Sequence, residues 1–120
     1  MTDKPKILLI EARFYDELAD ELAAGAIEVL EKAGAEITRV AVPGVLEIPA
    51  ALSMALIAAE VADADIYDGY VVLGAVIRGE TTHYDIFANE SARAIINMVT
   101  SEGLALGNGI QTVENQEQAW

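Results

Sequence analysis

The chain has 120 residues, enough for one hydrophobic core and too few for two ordinary domains. With 53% hydrophobic and 22% charged residues it is no disordered segment. Seven Lys and Arg against twenty Asp and Glu give a net charge of −13, which argues against nucleic acid or an anionic membrane as partner. The absence of Cys excludes disulfides, thiolate metal ligands and a Cys nucleophile. The first residues carry no signal pattern, and no uninterrupted apolar run reaches ~18 residues, so a cytoplasmic domain is expected.

Ile7–Ile10 is continuously apolar, as expected for a strand covered on both faces. From Asp16 the period changes: Leu18, Leu22, Ala26, Val29, Leu30 and Ala33 form a helical stripe, with Asp16, Asp20, Glu21, Glu28, Glu31 and Lys32 on the wet face. Gly34 stands where a helix C-cap belongs. Ile37–Val42 reads as a second strand ended by Pro43-Gly44. A helix is expected from near Leu46 to about Val61, with Pro49 in its first turn. Tyr70–Ile77 is a third strand, Arg78–Thr82 a loop, and Tyr84 to about Ser101 a third helix. Leu104–Thr112 is a weaker strand, interrupted by Gly107-Asn108-Gly109, and Thr112–Trp120 reads as the start of a fourth helix. This alternation predicts an α/β fold: a three-layer, flavodoxin-like, doubly wound parallel sheet of four strands with helices on both faces.

Apolar residues point all round the second helix, from Ile48 through Leu52, Met54, Ile57 and Val61, with only Ser53 and Glu60 interrupting. A helix of that kind needs cover on every side, so a homo-oligomer is expected. The plainer reading is an Ala-rich helix that exposes little apolar area.

Ligands of open α/β sheets bind beyond the carboxyl ends of strands, which selects Glu11–Phe14, Pro43–Glu47, Arg78–Asp85 and the region near Asn108. In the third segment Thr82-His83-Tyr84-Asp85 has capping-box spacing, with Thr82 as N-cap and an anion-binding helix N-terminus behind it. His83 there sits at the positive end of the helix, which favours a neutral imidazole able to relay a proton. A lone His at such a position is more often a cap or surface residue; being the chain's single His at a strand's carboxyl end raises this one. Gly74 to Gly79 has phosphate-loop spacing, but Glu80 stands where Lys is required, so a nucleoside triphosphatase is a poor reading. Glu47 suits either polyol hydroxyls or a favourable first-turn acid, and Phe14 either ring stacking or the core. The acids do not pair with His at ligand spacing, so no metal is expected.

Ala12-Arg13-Phe14, Val42–Pro49 (VPGVLEIP), Leu73–Asp85 (LGAVIRGETTHYD) and Asn108–Ala119 (NGIQTVENQEQA) together resemble, in order and over nearly the whole chain, the lumazine synthase family. The resemblance implies condensation of 5-amino-6-ribitylaminouracil with 3,4-dihydroxy-2-butanone 4-phosphate to 6,7-dimethyl-8-ribityllumazine, a transferase step of riboflavin biosynthesis that needs no cofactor. By position, Phe14 would stack on the pyrimidine. Val45, Leu46 and Glu47 would line the ribityl pocket, and Ala75, Val76 and Ile77 would present backbone groups to the uracil edge. Glu80 and Thr81 would hold phosphate, and His83 would shuttle protons. The resemblance also implies homopentamers with sites between subunits. Three departures stand out. Glu80 replaces a residue that is often small, and Asn108 stands where many members place an aromatic ring from the neighbouring subunit. The chain is expected to lack the usual C-terminal helical segment with its phosphate-gripping Arg, since no basic residue follows Arg93. The alternative is a non-catalytic lumazine synthase-like assembly or ligand-binding subunit. An archaeal-type riboflavin synthase lacks the complete THYD loop, and a response regulator would need an acidic cluster with a late Lys.

Overall fold

A computed structural model describes residues 4–63, 66–79 and 83–120. The elements run β1 (Lys6–Ala12), α1 (Asp16–Lys32), β2 (Glu36–Val42), a 3-10 turn (Val45–Glu47), α2 (Ile48–Ala62), β3 (Gly69–Ile77), α3 (His83–Glu102), β4 (Leu106–Val113) and α4 (Gln116–Ala119). All four strands are parallel in the order β2-β1-β3-β4. The chain therefore winds outward one way from β1 to β2, then crosses back to β3, and the order reverses between β1 and β3.

Strand alternation divides the core. Leu8, Ile10, Ala12, Tyr70, Val72 and Val76 face one side, where Ile48 and Leu52 of α2 and Ile95 of α3 close over them. Leu9 and Leu73 face the other, packed on Ala23 of α1 with Leu22, Ala26 and Leu30 beside it. Both faces of β1 and β3 are thus covered, which explains their unbroken apolar runs. Gly34, at φ +79°, occupies the left-handed position just past α1 that its sequence position predicts. Gly74 serves close approach: a Cβ there would lie 2.7 Å from Val45 Cγ1 and 3.2 Å from Ala12 Cβ. Its bare backbone lets the 3-10 turn settle against the end of β3.

The structure corrects several sequence expectations. Val29 is 67% exposed, so the α1 stripe is Leu18, Ala19, Leu22, Ala23, Ala26 and Leu30 instead. The expected start of the second helix near Leu46 is a 3-10 turn, and α2 proper begins at Ile48 with Pro49 in its first turn. Gly107-Asn108-Gly109 does not interrupt β4, because a parallel ladder is made by backbone and the three residues pair with Val71, Val72 and Leu73. Thr112 and Val113 belong to β4, leaving helix only at Gln116–Ala119, capped by the Asn115 side chain accepting from the Gln118 amide at 2.8 Å. The expected Thr82 cap lies outside the described residues. One stretch, Val45–Ala62, has the length and mean hydropathy (1.8) of a membrane span, despite Glu47, Pro49, Ser53 and Glu60. Ile48 and Leu52 have no exposed surface and lie in the core, so one side of α2 packs on the sheet. Its other side leaves Met54, Ile57 and Val61 at 56–82% exposure.

On the α1 face of the sheet, a polar group lies among the apolar ones. The Glu11 carboxylate, with its side chain 3% exposed, accepts from Arg39 Nε (2.7 Å) and Nη2 (2.9 Å) and from Arg13 Nη1 (2.6 Å). Arg13 also donates to Asp16 Oδ1 at 2.9 Å and pairs with Asp20, so one cluster ties β1, β2 and α1 together. Burial pushes the Glu11 pKa up, but hydrogen bonds and charge from Arg39 and Arg13 outweigh it and hold the pKa below 4.5. A carboxylate so depressed stabilises the fold above its unfolded pKa, and that contribution disappears as pH falls through the folded value. Glu11→Gln is expected to lower unfolding free energy by about 1–3 kcal/mol at pH 7, the range for charged hydrogen bonds with partly solvated partners. The gap from wild type should narrow steadily below pH 4.5. Denaturant titrations at pH 7 and pH 3.5 read both effects, and a gap independent of pH would contradict the assignment.

Candidate active site

A cavity of about 320 Å³ opens at the carboxyl ends of β1, β2 and β3, where the strand order reverses. It is large enough for a small ring with a polar tail. The loop after β1 contributes Phe14 and Tyr15, and the segment after β2 contributes Pro43, Gly44, Val45, Leu46 and Glu47. The end of β3 supplies Ala75, Val76 and Ile77 with Gly79 beyond, and the first turns of α3 supply His83, Tyr84 and Phe87.

Local sequence explains each contribution. Pro43-Gly44 stops β2, and the Glu47 amide donates back to the Gly44 carbonyl at 3.2 Å, tightening the 3-10 turn. That turn buries Val45 at 4% exposure and leaves Leu46 and Glu47 on the surface. Ala75 and Ile77 are half-buried on the strand while Val76 enters the core, so two of the three carry side chains away from the α2–α3 layer. His83 is the first residue of α3, and its ring stacks on Phe87 one turn later, with centroids 6.1 Å apart and planes 12° from parallel. Phe14 is 75% exposed and meets Tyr15 edge-on at 4.9 Å. Beside the cavity, the Arg78 guanidinium lies 4.2 Å from the Tyr84 ring centre and donates to Glu114 at 2.8 Å.

Eight of the expected site residues therefore line one cavity: Phe14, Val45, Leu46, Glu47, Ala75, Val76, Ile77 and His83. Asn108 does not join them. It pairs with Val72, four residues before Val76, on the exposed edge strand, and its side chain accepts from the Ile110 amide at 2.9 Å. Glu80 and Thr81 lie outside the described residues. Sequence reasoning included Tyr84 only within the Arg78–Asp85 segment and missed Tyr15 and Phe87 as lining residues. The i, i+4 spacing of His83 and Phe87 on a helix was the available signal for the last.

The chemistry available is that of an apolar-walled slot with one imidazole and one carboxylate at its rim. Among the described residues no group of His, Asp and Glu has metal-binding geometry. A larger cleft of about 900 Å³ lies between α2 and α3 at the opposite, amino ends of β3 and β4. Glu60, Asp63, Asp68 and Glu102 line it, a set that repels phosphate.

A family profile described as 6,7-dimethyl-8-ribityllumazine synthase matches residues 4–120. A protein named 6,7-dimethyl-8-ribityllumazine synthase 1 from Rhizobium meliloti is 61% identical over 114 residues, covering 95% of this chain and 74% of its own. The Agrobacterium fabrum protein named 6,7-dimethyl-8-ribityllumazine synthase is 58% identical over 117 residues, covering 98% and 78%. One of that name from Bartonella bacilliformis is 53% identical over 116 residues, covering 97% and 74%. With these identities along nearly its whole length, the chain belongs to the 6,7-dimethyl-8-ribityllumazine synthase family.

Proposed function

We infer that the protein is a transferase that condenses 5-amino-6-ribitylaminouracil with 3,4-dihydroxy-2-butanone 4-phosphate in riboflavin biosynthesis. The observation that supports it most is the gathering of Phe14, Val45–Glu47, Ala75–Ile77 and His83 around one cavity at the β1/β3 reversal. In this reading Phe14 stacks on the pyrimidine, and backbone groups of Ala75, Val76 and Ile77 meet the uracil edge. Val45, Leu46 and Glu47 take the ribityl chain, Glu47 accepting from its hydroxyls. Glu80 and Thr81 hold the phosphate by backbone amides and hydroxyl. The balanced chemistry joins the pyrimidine amino group to the ketone with loss of water, expels phosphate, and closes the ring with loss of a second water. Each stage moves protons between adjacent heteroatoms, a task for a relay at His83. Holding two reactants together supplies much of the acceleration.

The active form in this reading is a homopentamer with sites between subunits. Support comes from the uncovered apolar side of α2 and from the exposure of Phe14, Leu46 and Phe87 at the cavity mouth. Asn108 on the open β4 edge then stands in place of the ring that one subunit would lend to its neighbour's site, leaving the sandwich around the pyrimidine one-sided. A phosphorylated substrate, which does not cross membranes unaided, suits a cytoplasmic location.

One observation favours a second reading, a ligand-binding or assembly subunit without turnover. Among the described residues lining the cavity there is no Lys or Arg to neutralise phosphate, and the nearby Arg78 is engaged by Glu114. Mixing both substrates with folded protein and following the absorbance and fluorescence of the lumazine separates the two. Product formation is expected; tight binding of a ribityllumazine analogue without product supports the second reading. His83→Ala should slow turnover by ~10²-fold or less, as for loss of a proton relay; a loss of many more decades would give His83 a larger role. Native mass spectrometry at micromolar concentration should find five copies together, whereas a stable monomer overturns this account of α2.

A further inference from the structure

Phe14 presents a problem of placement. At 75% exposure its ring has little around it beyond the edge-on contact with Tyr15, yet stacking needs it at one place beside the ring it would meet. Its position is set through the backbone, and the backbone on both sides is anchored. The Arg13 amide donates to the Val42 carbonyl at 3.0 Å, fixing the β1–α1 loop to the residue that precedes Pro43. The Tyr15 carbonyl accepts from the Ala19 amide at 2.8 Å, which starts α1. Between these, the Arg13 guanidinium is gripped from two directions. Glu11, buried in β1, takes Nη1 at 2.6 Å, while Asp16 and Asp20 of α1 take Nε and Nη2. Arg39 on β2 holds the other oxygen of Glu11 at 2.7 Å, so the carboxylate itself has one orientation.

We propose that the buried Glu11 carboxylate, through Arg13 and Arg39, positions Phe14 and so sets the affinity of the site for the pyrimidine substrate. Glu11 and Arg13 are positioning residues: neither lines the cavity. A planar guanidinium forked between a strand carboxylate and the first two turns of a helix makes the intervening loop stiff, and Phe14 sits inside that loop. Stiffening before binding removes an ordering cost that would otherwise be subtracted from the stacking energy. Pyrimidine affinity is the property at stake because the loop carries the ring-stacking residue, whereas Glu80 and Thr81, assigned to phosphate, follow β3. The inference rests on the role given to Phe14 under the proposed function.

The test uses the full chain and four variants: Glu11→Gln, Arg13→Ala, Phe14→Ala and the Arg13→Ala/Phe14→Ala pair. For each, KM for both substrates and kcat are measured, and thermal melts establish that the variant is folded at the assay temperature. Glu11→Gln keeps the shape of the buried group and serves if Arg13→Ala does not fold. Stacking on an aromatic side chain contributes about 1–3 kcal/mol, so losing its placement should raise KM for the pyrimidine by about tenfold. KM for the sugar phosphate should stay within about twofold. The pair should be no worse than about twofold beyond Phe14→Ala alone, because a positioning residue has nothing to act on once the ring is gone. Equal rises in both KM values, or effects that multiply in the pair, overturn the proposal while leaving the substrate assignment intact. Wild-type protein that makes no lumazine overturns the assignment, and this inference with it.

Discussion

A parallel sheet has to be covered on both sides, and this requirement organises the rest of the molecule. β1 and β3 lie at the centre, with Leu8 and Ile10 turned to α2 and α3 and Leu9 turned to α1. Because the helices lie on opposite faces, the chain must leave β1 in one direction and return in the other. That reversal separates the loops at the carboxyl ends and opens the cavity between them. The cavity is the space left where the connections after β1 and β3 diverge to opposite sides.

The same requirement makes Glu11 unusual. A charge at a fully covered position of β1 is costly unless its partners are close, and here two guanidinium groups meet it within 3 Å. An apolar residue would satisfy the core more simply. What the carboxylate adds is direction, because its hydrogen bonds fix the loop that leaves β1 and the edge strand beside it. These bonds reach the β1–α1 loop from a strand and from a helix, on the side where the loop has little apolar packing.

Much of this was legible in the sequence wherever side chains carry the information. The apolar runs of β1 and β3, the stripe of α1 and Gly34 at its end all state a period or a backbone preference directly. The VPGVLEIP segment pointed to the cavity because it ends β2 and leads into α2, and His83-Tyr84 because they open α3. β4 was harder to read: a parallel ladder needs only backbone, so Gly107-Asn108-Gly109 looks like a break and pairs like a strand. Val29 fits the helical period but falls at the edge of the buried arc, and periodicity does not locate the limits of a contact. Phe87 was hidden because the sequence does not tell which side of α3 turns toward the loops. Glu11 reads in the sequence as the start of a candidate ligand loop beyond the strand, whereas it is a buried residue of β1, and only the register of Arg39 beside Leu9 makes its partner visible.

The bare side of α2 has a thermodynamic consequence. Met54, Ile57 and Val61 together offer apolar surface that water solvates poorly and that the unfolded chain does not present as one patch. Any second molecule that covers it binds the folded form alone, and mass action then draws the population toward that form. In the proposed pentamer the cover is another copy of the chain, and the melting temperature would then rise with protein concentration. In that reading, conformational stability is a property of the solution as much as of the single molecule.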